Sequence, residues 1–482
     1  MGSRSTNTGT AAPSYGAPRA RQQGHHGTVQ DSASAGSDLL NVPVAERSLD
    51  GFADIAEPAQ YQALQAAGAT ARDRFSGRVI WNVNSTATGG GVAEMLRPLL
   101  GYVRGAGVDA RWRVLRADPG FFRVTKRIHN HLHGAAGDGG DLGLAERDAY
   151  VASLEPGVRA LQSLLRPDDL VFLHDPQTAG PVGAVRSTGA RAIWRCHIGV
   201  DEPNEVVRHA RRFLLPFIAG ADAYVFSRRE HVWHNLDPER VWIVPPSIDP
   251  FSPKNRALSP EEIRSILGRL DEQANQVGGV IPPGAPLVAQ VSRWDHLKDP
   301  GGVIRGFVDH VLPRHPEAHL ALVGPAVTAV SDDPEGATVL LDVFDLCHRL
   351  PQSLRSHVHL LSIPMDDVDV NAITVNAIQR QATVVVQKSL AEGFGLTVAE
   401  AMWKSRPVVG ARVGGIQDQI DHGVTGLLVD SHDLEGFGAA VSQLLEDAST
   451  AARMGERGRE HVRREFLGPR HLLQHFDLVS SL

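Results

Sequence analysis

From about residue 40 onward, short β-branched runs alternate with longer stretches whose apolar residues keep helical spacing. Arg78-Val-Ile-Trp-Asn-Val-Asn84 predicts a strand, Gly89-Gly90-Gly91 a turn, and Val92 to Val103 a helix. Further strands are predicted at Arg111–Leu115, Leu170–His174, Ala192–His197 and Ala223–Phe226, each leading into a helical stretch. Val241-Trp-Ile-Val-Pro-Pro-Ser-Ile-Asp-Pro250, followed by Pro253, breaks the rhythm and predicts a last strand and a linker. Strand patterns resume at Pro286–Ser292, His319–Val323, His357–Ser362, Ala382–Gln387, Pro407–Gly410 and Gly426–Val429, and a helical segment from about 433 ends the chain. Such alternation implies mostly parallel sheets with helices on both faces. The expectation is an α/β protein of two Rossmann-like, doubly wound domains facing across a cleft. Their bounds are 39–248 and 249–465, with a terminal helix over 466–482 packing back on the first. Residues 1–38 are rich in Gly, Ser, Ala, Thr and Gln and are expected to be a disordered tail, in which His25-His26 is incidental.

Composition narrows this picture only slightly. A length of 482 residues suits two domains, and 42% hydrophobic with 21% charged residues is ordinary for a globular protein. A net charge of −7 argues against bulk nucleic-acid binding. Cys196 and Cys347 stand far apart without CxxC spacing, which points to a reducing compartment and to neither a disulfide framework nor a zinc site. No apolar run approaches the roughly 20 residues of a membrane helix, and the N-terminus lacks a signal-peptide core. A cytoplasmic location without membrane attachment is expected.

In doubly wound sheets ligands bind beyond the carboxyl ends of the strands, so the chemistry is sought there. Glu392-Gly-Phe-Gly-Leu-Thr-Val-Ala-Glu400 follows the predicted strand Ala382–Gln387 and opens a helix. A glycine turn at a helix start offers unpaired N–H groups and the positive dipole end, an anion site. The two acids suit hydroxyls flanking such an anion, although either alone also fits a helix-end partner. Arg293 and Lys298 follow another strand, a planar fork and a mobile point charge that suit a diphosphate. His174-Asp-Pro-Gln177 and Arg195-Cys-His197 close two neighbouring strands of the first domain. Gly89-Gly90-Gly91 lacks the dinucleotide fingerprint because residue 94 is Glu, which speaks against a nicotinamide dehydrogenase.

Arg293, Lys298 and the Glu392–Glu400 segment, in this order, resemble the retaining GT-B glycosyltransferases of family 4. Gly89–Glu94, Phe121–Lys126 with His129-Asn130, His174–Gln177, Trp194–His197, Pro245–Pro250 and Asp332–Gly336 are similar to the trehalose glycosyltransferring synthases, over roughly residues 40 to 480. One departure is Lys298-Asp299-Pro300, where the family more often has Gly after Lys. The resemblance implies reversible glucose transfer from a nucleoside-diphosphate glucose (ADP- or UDP-glucose) to free glucose, giving trehalose. It implies His197, Glu392, Arg293 and Lys298 as catalytic. Arg293, Lys298, Glu392, Gly393, Phe394, Gly395, Leu396, Thr397 and Glu400 are the implied nucleotide-sugar contacts, with Glu400 on the ribose and Glu392 on the transferred glucose. Asn84, Gly90, Gly91, Glu94, Lys126, His174, Asp175, Gln177 and Arg195 are the implied acceptor contacts. No resident cofactor or protein metal site is implied, Mg2+ acting at most as a stimulant, and the expected assembly is a homodimer. Alternatives with the same fold are a retaining trehalose phosphorylase and a transferase with another acceptor. For the latter, Arg111, Arg113, Arg116, Arg123, Lys126 and Arg127 form a basic zone. A catalytically silent sugar-nucleotide sensor is the alternative of a different class.

Overall fold

The computed structural model describes residues 38–88, 90–270, 275–327 and 335–482. The expected tail, apart from Asp38, lies outside the described residues, as do Gly89 and Asp332-Asp333-Pro334 of the motifs above. Two sheets organise the rest. The first is built from Leu39–Val42 (β1), Ile80–Asn84 (β2), Ala110–Leu115 (β3), Leu170–His174 (β4), Arg191–Cys196 (β5), Ala223–Phe226 (β6) and Val241–Ile243 (β7), in the order β1-β3-β2-β4-β5-β6-β7. The second comprises Asn275–Val277 (β8), Leu287–Val291 (β9), His319–Pro325 (β10), Val358–Ile363 (β11), Val384–Gln387 (β12), Val408–Ala411 (β13) and Leu427–Val429 (β14), in the order β14-β13-β12-β9-β10-β11-β8. All ladders are parallel except β1 on β3 and β8 on β11, two antiparallel edges that the strand–helix rhythm does not announce.

Central strands β2, β4 and β9 are buried along their whole length, which is why they read as continuous apolar runs rather than alternating ones. Each sheet is covered on both faces by helices, with one apolar cluster per face. The order of strands reverses between β2 and β4 in the first sheet and between β9 and β12 in the second. Loops diverge at such switch points and leave a crevice for ligands.

The chain passes between the halves at two adjacent places. After β7 it runs through Pro245 and Pro246 to Ile248, whose N–H donates to Phe466 O at 2.9 Å on the returning segment. Arg470 donates to the carbonyls of Pro245 and Pro246 at 2.6 and 2.8 Å. The terminal helix Gly468–Ser481 then packs Leu472, Phe476, Leu478 and Val479 into the first half, in the cluster that holds Ile80 and Trp112.

Three histidines mark the far end of the second sheet. His319 Nδ1 lies 2.9 Å from His359 Nε2, and the His357 ring stacks on His319 at 4.7 Å.

Candidate active site

At the end of β4, Asp175 adopts φ 65° and ψ −177° immediately before Pro176. That region is nearly reserved for glycine and costs of order 1–3 kcal/mol for other residues. The conformation is held from three sides. Asp175 N–H donates to Arg195 O at 2.8 Å. Its carboxylate accepts the His197 N–H at 2.7 Å, and Trp194 Nε1–H donates to its carbonyl at 3.2 Å. Burial pushes the Asp175 carboxyl up to about 7, against the opposing pull of the His197 N–H and the Arg195 charge.

His174 and His197 stack at 10° with ring centroids 5.5 Å apart. His174 lies 3.0 Å from Asn82 Oδ1 through Nε2 and 3.2 Å from His197 Nε2 through Nδ1. Burial, reinforced by the nearby Arg195 charge, pulls both rings well below the ordinary imidazole range, so both are neutral at pH 7. A neutral ring carries one N–H. Assigned from this hydrogen-bond pattern, His174 donates to Asn82 and accepts from His197. Nδ1 of His197 is left as that ring's acceptor.

The second half supplies cations and backbone donors. Lys298 ends the turn His296–Lys298 after β9, and its Nζ lies 2.5 Å from Glu392 Oε2. Asp295 caps that turn by accepting the Leu297 N–H at 2.8 Å, and it stands 3.7 Å from Arg293 and 3.6 Å from Lys126 of the first half. Burial alone would raise its pKa, but Lys126, Arg293 and Lys298 outweigh it and hold the carboxyl below the usual range. Gly395 opens the helix Leu396–Trp403 at φ 83°, where an L side chain would be strained. Gly393 allows the two halves to touch, because a Cβ there would lie 2.3 Å from His197 O.

These groups face one cavity of about 360 Å³ at the two switch points. Asn84, Gly90, Gly91, Glu94, Lys126, His174, Asp175, Gln177 and His197 line it from the first half. Arg293, Lys298, Glu392, Gly393, Phe394, Gly395, Leu396 and Thr397 line it from the second. Asn84 is tied internally, accepting from Trp112 Nε1 at 2.8 Å and donating to Thr86 O at 2.7 Å, so its side chain fastens the turn.

Two of the expected contacts are not on the cavity wall. Arg195 is turned into the core, where it meets His471 Nε2 at 3.3 Å and donates to Val244 O at 3.2 Å. It is a tie to the terminal helix, because β5 directs it to the face that helix covers. Glu400 is only 2% exposed, and its Oε1 lies 3.3 Å from Lys254 Nζ.

The lining also includes Lys254, Asp295, His129 and His133, which no sequence pattern singles out as a group. Burial leaves both histidines neutral, His133 with a pKa near 3. The basic zone is partly neutralised. Arg111 pairs with Asp109 and Arg127 with Asp138, each at 2.7 Å, while Arg111 and Arg113 lie over the Trp81 ring. Among the described residues no group of three His, Cys, Asp or Glu is placed to hold a metal ion, and no helix is long and apolar enough to cross a membrane.

Two parallel-sheet domains meeting at one crevice are the architecture of the GT-B glycosyltransferases. The fold is that of the UDP-forming α,α-trehalose-phosphate synthase of Burkholderia vietnamiensis, with a TM-score of 0.64 at 16% identity over 84% of this chain and 98% of that one. Residues 354–461 match the family model of glycosyl transferases group 1, and residues 82–233 match that of the N-terminal domain of trehalose synthase. The trehalose synthase of Rubrobacter xylanophilus is 39% identical over 85% of this chain and 92% of its own length. That of Thermococcus litoralis is 36% identical over 90% and 97%. The chain belongs to the trehalose synthase family.

Proposed function

We propose that this chain is a retaining glucosyltransferase that moves glucose from a nucleoside-diphosphate glucose to free glucose and forms trehalose, reversibly. The observation that carries this reading is the convergence of Lys298, Arg293, Glu392 and a glycine-led helix start on one cavity, facing the His174–His197 pair. Arg293, Lys298 and the N–H groups of Gly395, Leu396 and Thr397 serve the diphosphate and stabilise the charge that builds on it as the glycosidic bond breaks. Glu392 accepts from hydroxyls of the glucose being transferred, and His197 orients that sugar through a hydroxyl. The acceptor glucose meets the first-half groups, Asp175 and Gln177 among them. Attack on the face the phosphate leaves gives retention through an oxocarbenium-like state, the departing phosphate taking the acceptor's proton. The kinship with trehalose synthases and the acids and cations gathered at the cavity support this reading together.

The test is to incubate the protein with trehalose and either a nucleoside diphosphate or inorganic phosphate. Release of nucleoside-diphosphate glucose is expected, and glucose 1-phosphate formed from phosphate alone would overturn the reading in favour of a phosphorylase. Lys298→Ala and Glu392→Ala are each expected to lower turnover by about 10²–10³, the range for losing one preorganised contact to developing charge.

A further inference from the structure

Glu94 and Glu400 belong to opposite halves, yet they share one cation. Lys254, on the segment joining the halves, places Nζ 2.8 Å from Glu94 Oε2 and 3.3 Å from Glu400 Oε1. Lys254 lines the cavity, and the Glu400 carboxylate it contacts is buried beside it. The other oxygen, Glu400 Oε2, is buried and accepts no hydrogen bond. An acceptor left in that condition costs roughly 1–3 kcal/mol.

The charges around Glu400 are unevenly shared. Lys404 Nζ is occupied by Asn255 Oδ1 at 3.0 Å, Gln379 Oε1 at 2.8 Å and the Glu400 carbonyl at 3.0 Å, and burial draws its pKa down to about 7. Lys254 is therefore the ammonium that answers the carboxylate. Burial opposes its charge, but Glu400 and Glu94 outweigh that and hold its pKa above the usual lysine value. Electrostatics alone would draw it toward the more deeply buried acid, where attraction is less screened. Its shorter contact goes instead to Glu94, whose side chain is 47% exposed against 3% for Glu400.

We propose that Lys254 is a positioning residue for the nucleotide end of the cavity, held by Glu94 so that the Glu400 carboxylate can accept a ligand hydroxyl. This rests on the reading of Glu400 as the acid that meets the ribose of a nucleoside diphosphate. Ribose hydroxyls and the lysine compete for the same carboxylate, and Glu94 sets the competition by holding the lysine back. Glu94 thereby acts on the donor through Lys254, not on the acceptor sugar by contact. Without its charge, Lys254 closes on Glu400 and the nucleotide binds less well.

Calorimetric titration of ADP, UDP and GDP into the full chain tests this, using Glu94→Gln, Lys254→Met and the double variant, each checked for folding by thermal denaturation. Taking whichever nucleotide the parent chain binds best, Glu94→Gln is expected to weaken binding about tenfold, or 1.4 kcal/mol, while Lys254 is present. In the Lys254→Met background the same change is expected to matter less than twofold. An equal loss in both backgrounds would mean that Glu94 touches the ligand or merely supports its helix, and would overturn the proposal. Unchanged affinity in Glu94→Gln would overturn it too. Lys254→Gln supplies the background if Lys254→Met does not fold. A parent chain that binds none of the three nucleotides overturns the reading of the cavity itself, and the proposal falls with it.

Discussion

Asp175 carries both a backbone conformation that few residues other than glycine adopt and a carboxyl pushed up to about 7 by burial. A folded-state pKa raised above the unfolded value of about 3.9 means the protonated acid is the form the fold prefers. The stability it contributes is complete below about pH 4 and is lost as pH rises through about 7. Asp175→Asn keeps the acceptor for the His197 N–H and removes the titration. Thermal denaturation of both proteins from pH 4 to 8 is expected to show the variant gaining on the parent up to about pH 7, with a constant difference above it. A difference independent of pH would contradict the assignment. The strain is best understood as the means of turning a strand end so that its acid reaches the cavity.

At the scale of elements, one loop and one sheet edge carry predictions. Gly393→Ala places a methyl group 2.3 Å from His197 O, so the Glu392 loop must back away from the first half. Misplacement by about 1 Å can cost on the order of 10²-fold in rate. Turnover is expected to fall by about that much while circular dichroism stays unchanged. At the far edge, burial first and then the neighbouring His319 push His359 down to about 4. A depressed histidine pKa gives stability that is present above about 6.5 and lost as pH falls through about 4. His359→Gln is expected to lower the melting temperature at pH 7 yet flatten its decline between pH 6.5 and 4.

The elements themselves were legible from period alone, since strands such as Leu170–His174 and Ala223–Phe226 are buried runs between helical stretches. The edges β1 and β8 were not, being four and three residues long and outside the βα rhythm. Gly395 was legible as a turn because a helix pattern begins directly after it. Glu400 was legible as an acid of the helix but its burial against Lys254 was not, because that partner comes from a distant segment, and no local spacing reports a tertiary ion pair. Arg195 failed for the same reason, its partner His471 lying in the terminal helix.

At the scale of the whole molecule, the terminal helix is part of the first half's core although the second half precedes it in the chain. Phe476→Ala should therefore destabilise by about 3–5 kcal/mol, as for other buried aromatic residues. The loss is expected to be reported by tryptophans of the first half, Trp81 and Trp112, which are fully buried there. Selective loosening of the second half, with the first intact, would contradict the packing. The double crossing also has a consequence for synthesis. Residues 249–465 are contiguous in the chain, whereas the half made first must wait for Gly468–Ser481 to emerge from the ribosome before its core is complete. A nascent chain cut short before Gly468 would carry every cavity residue and still lack both the His471 partner of Arg195 and the apolar side chains that complete the first half's core.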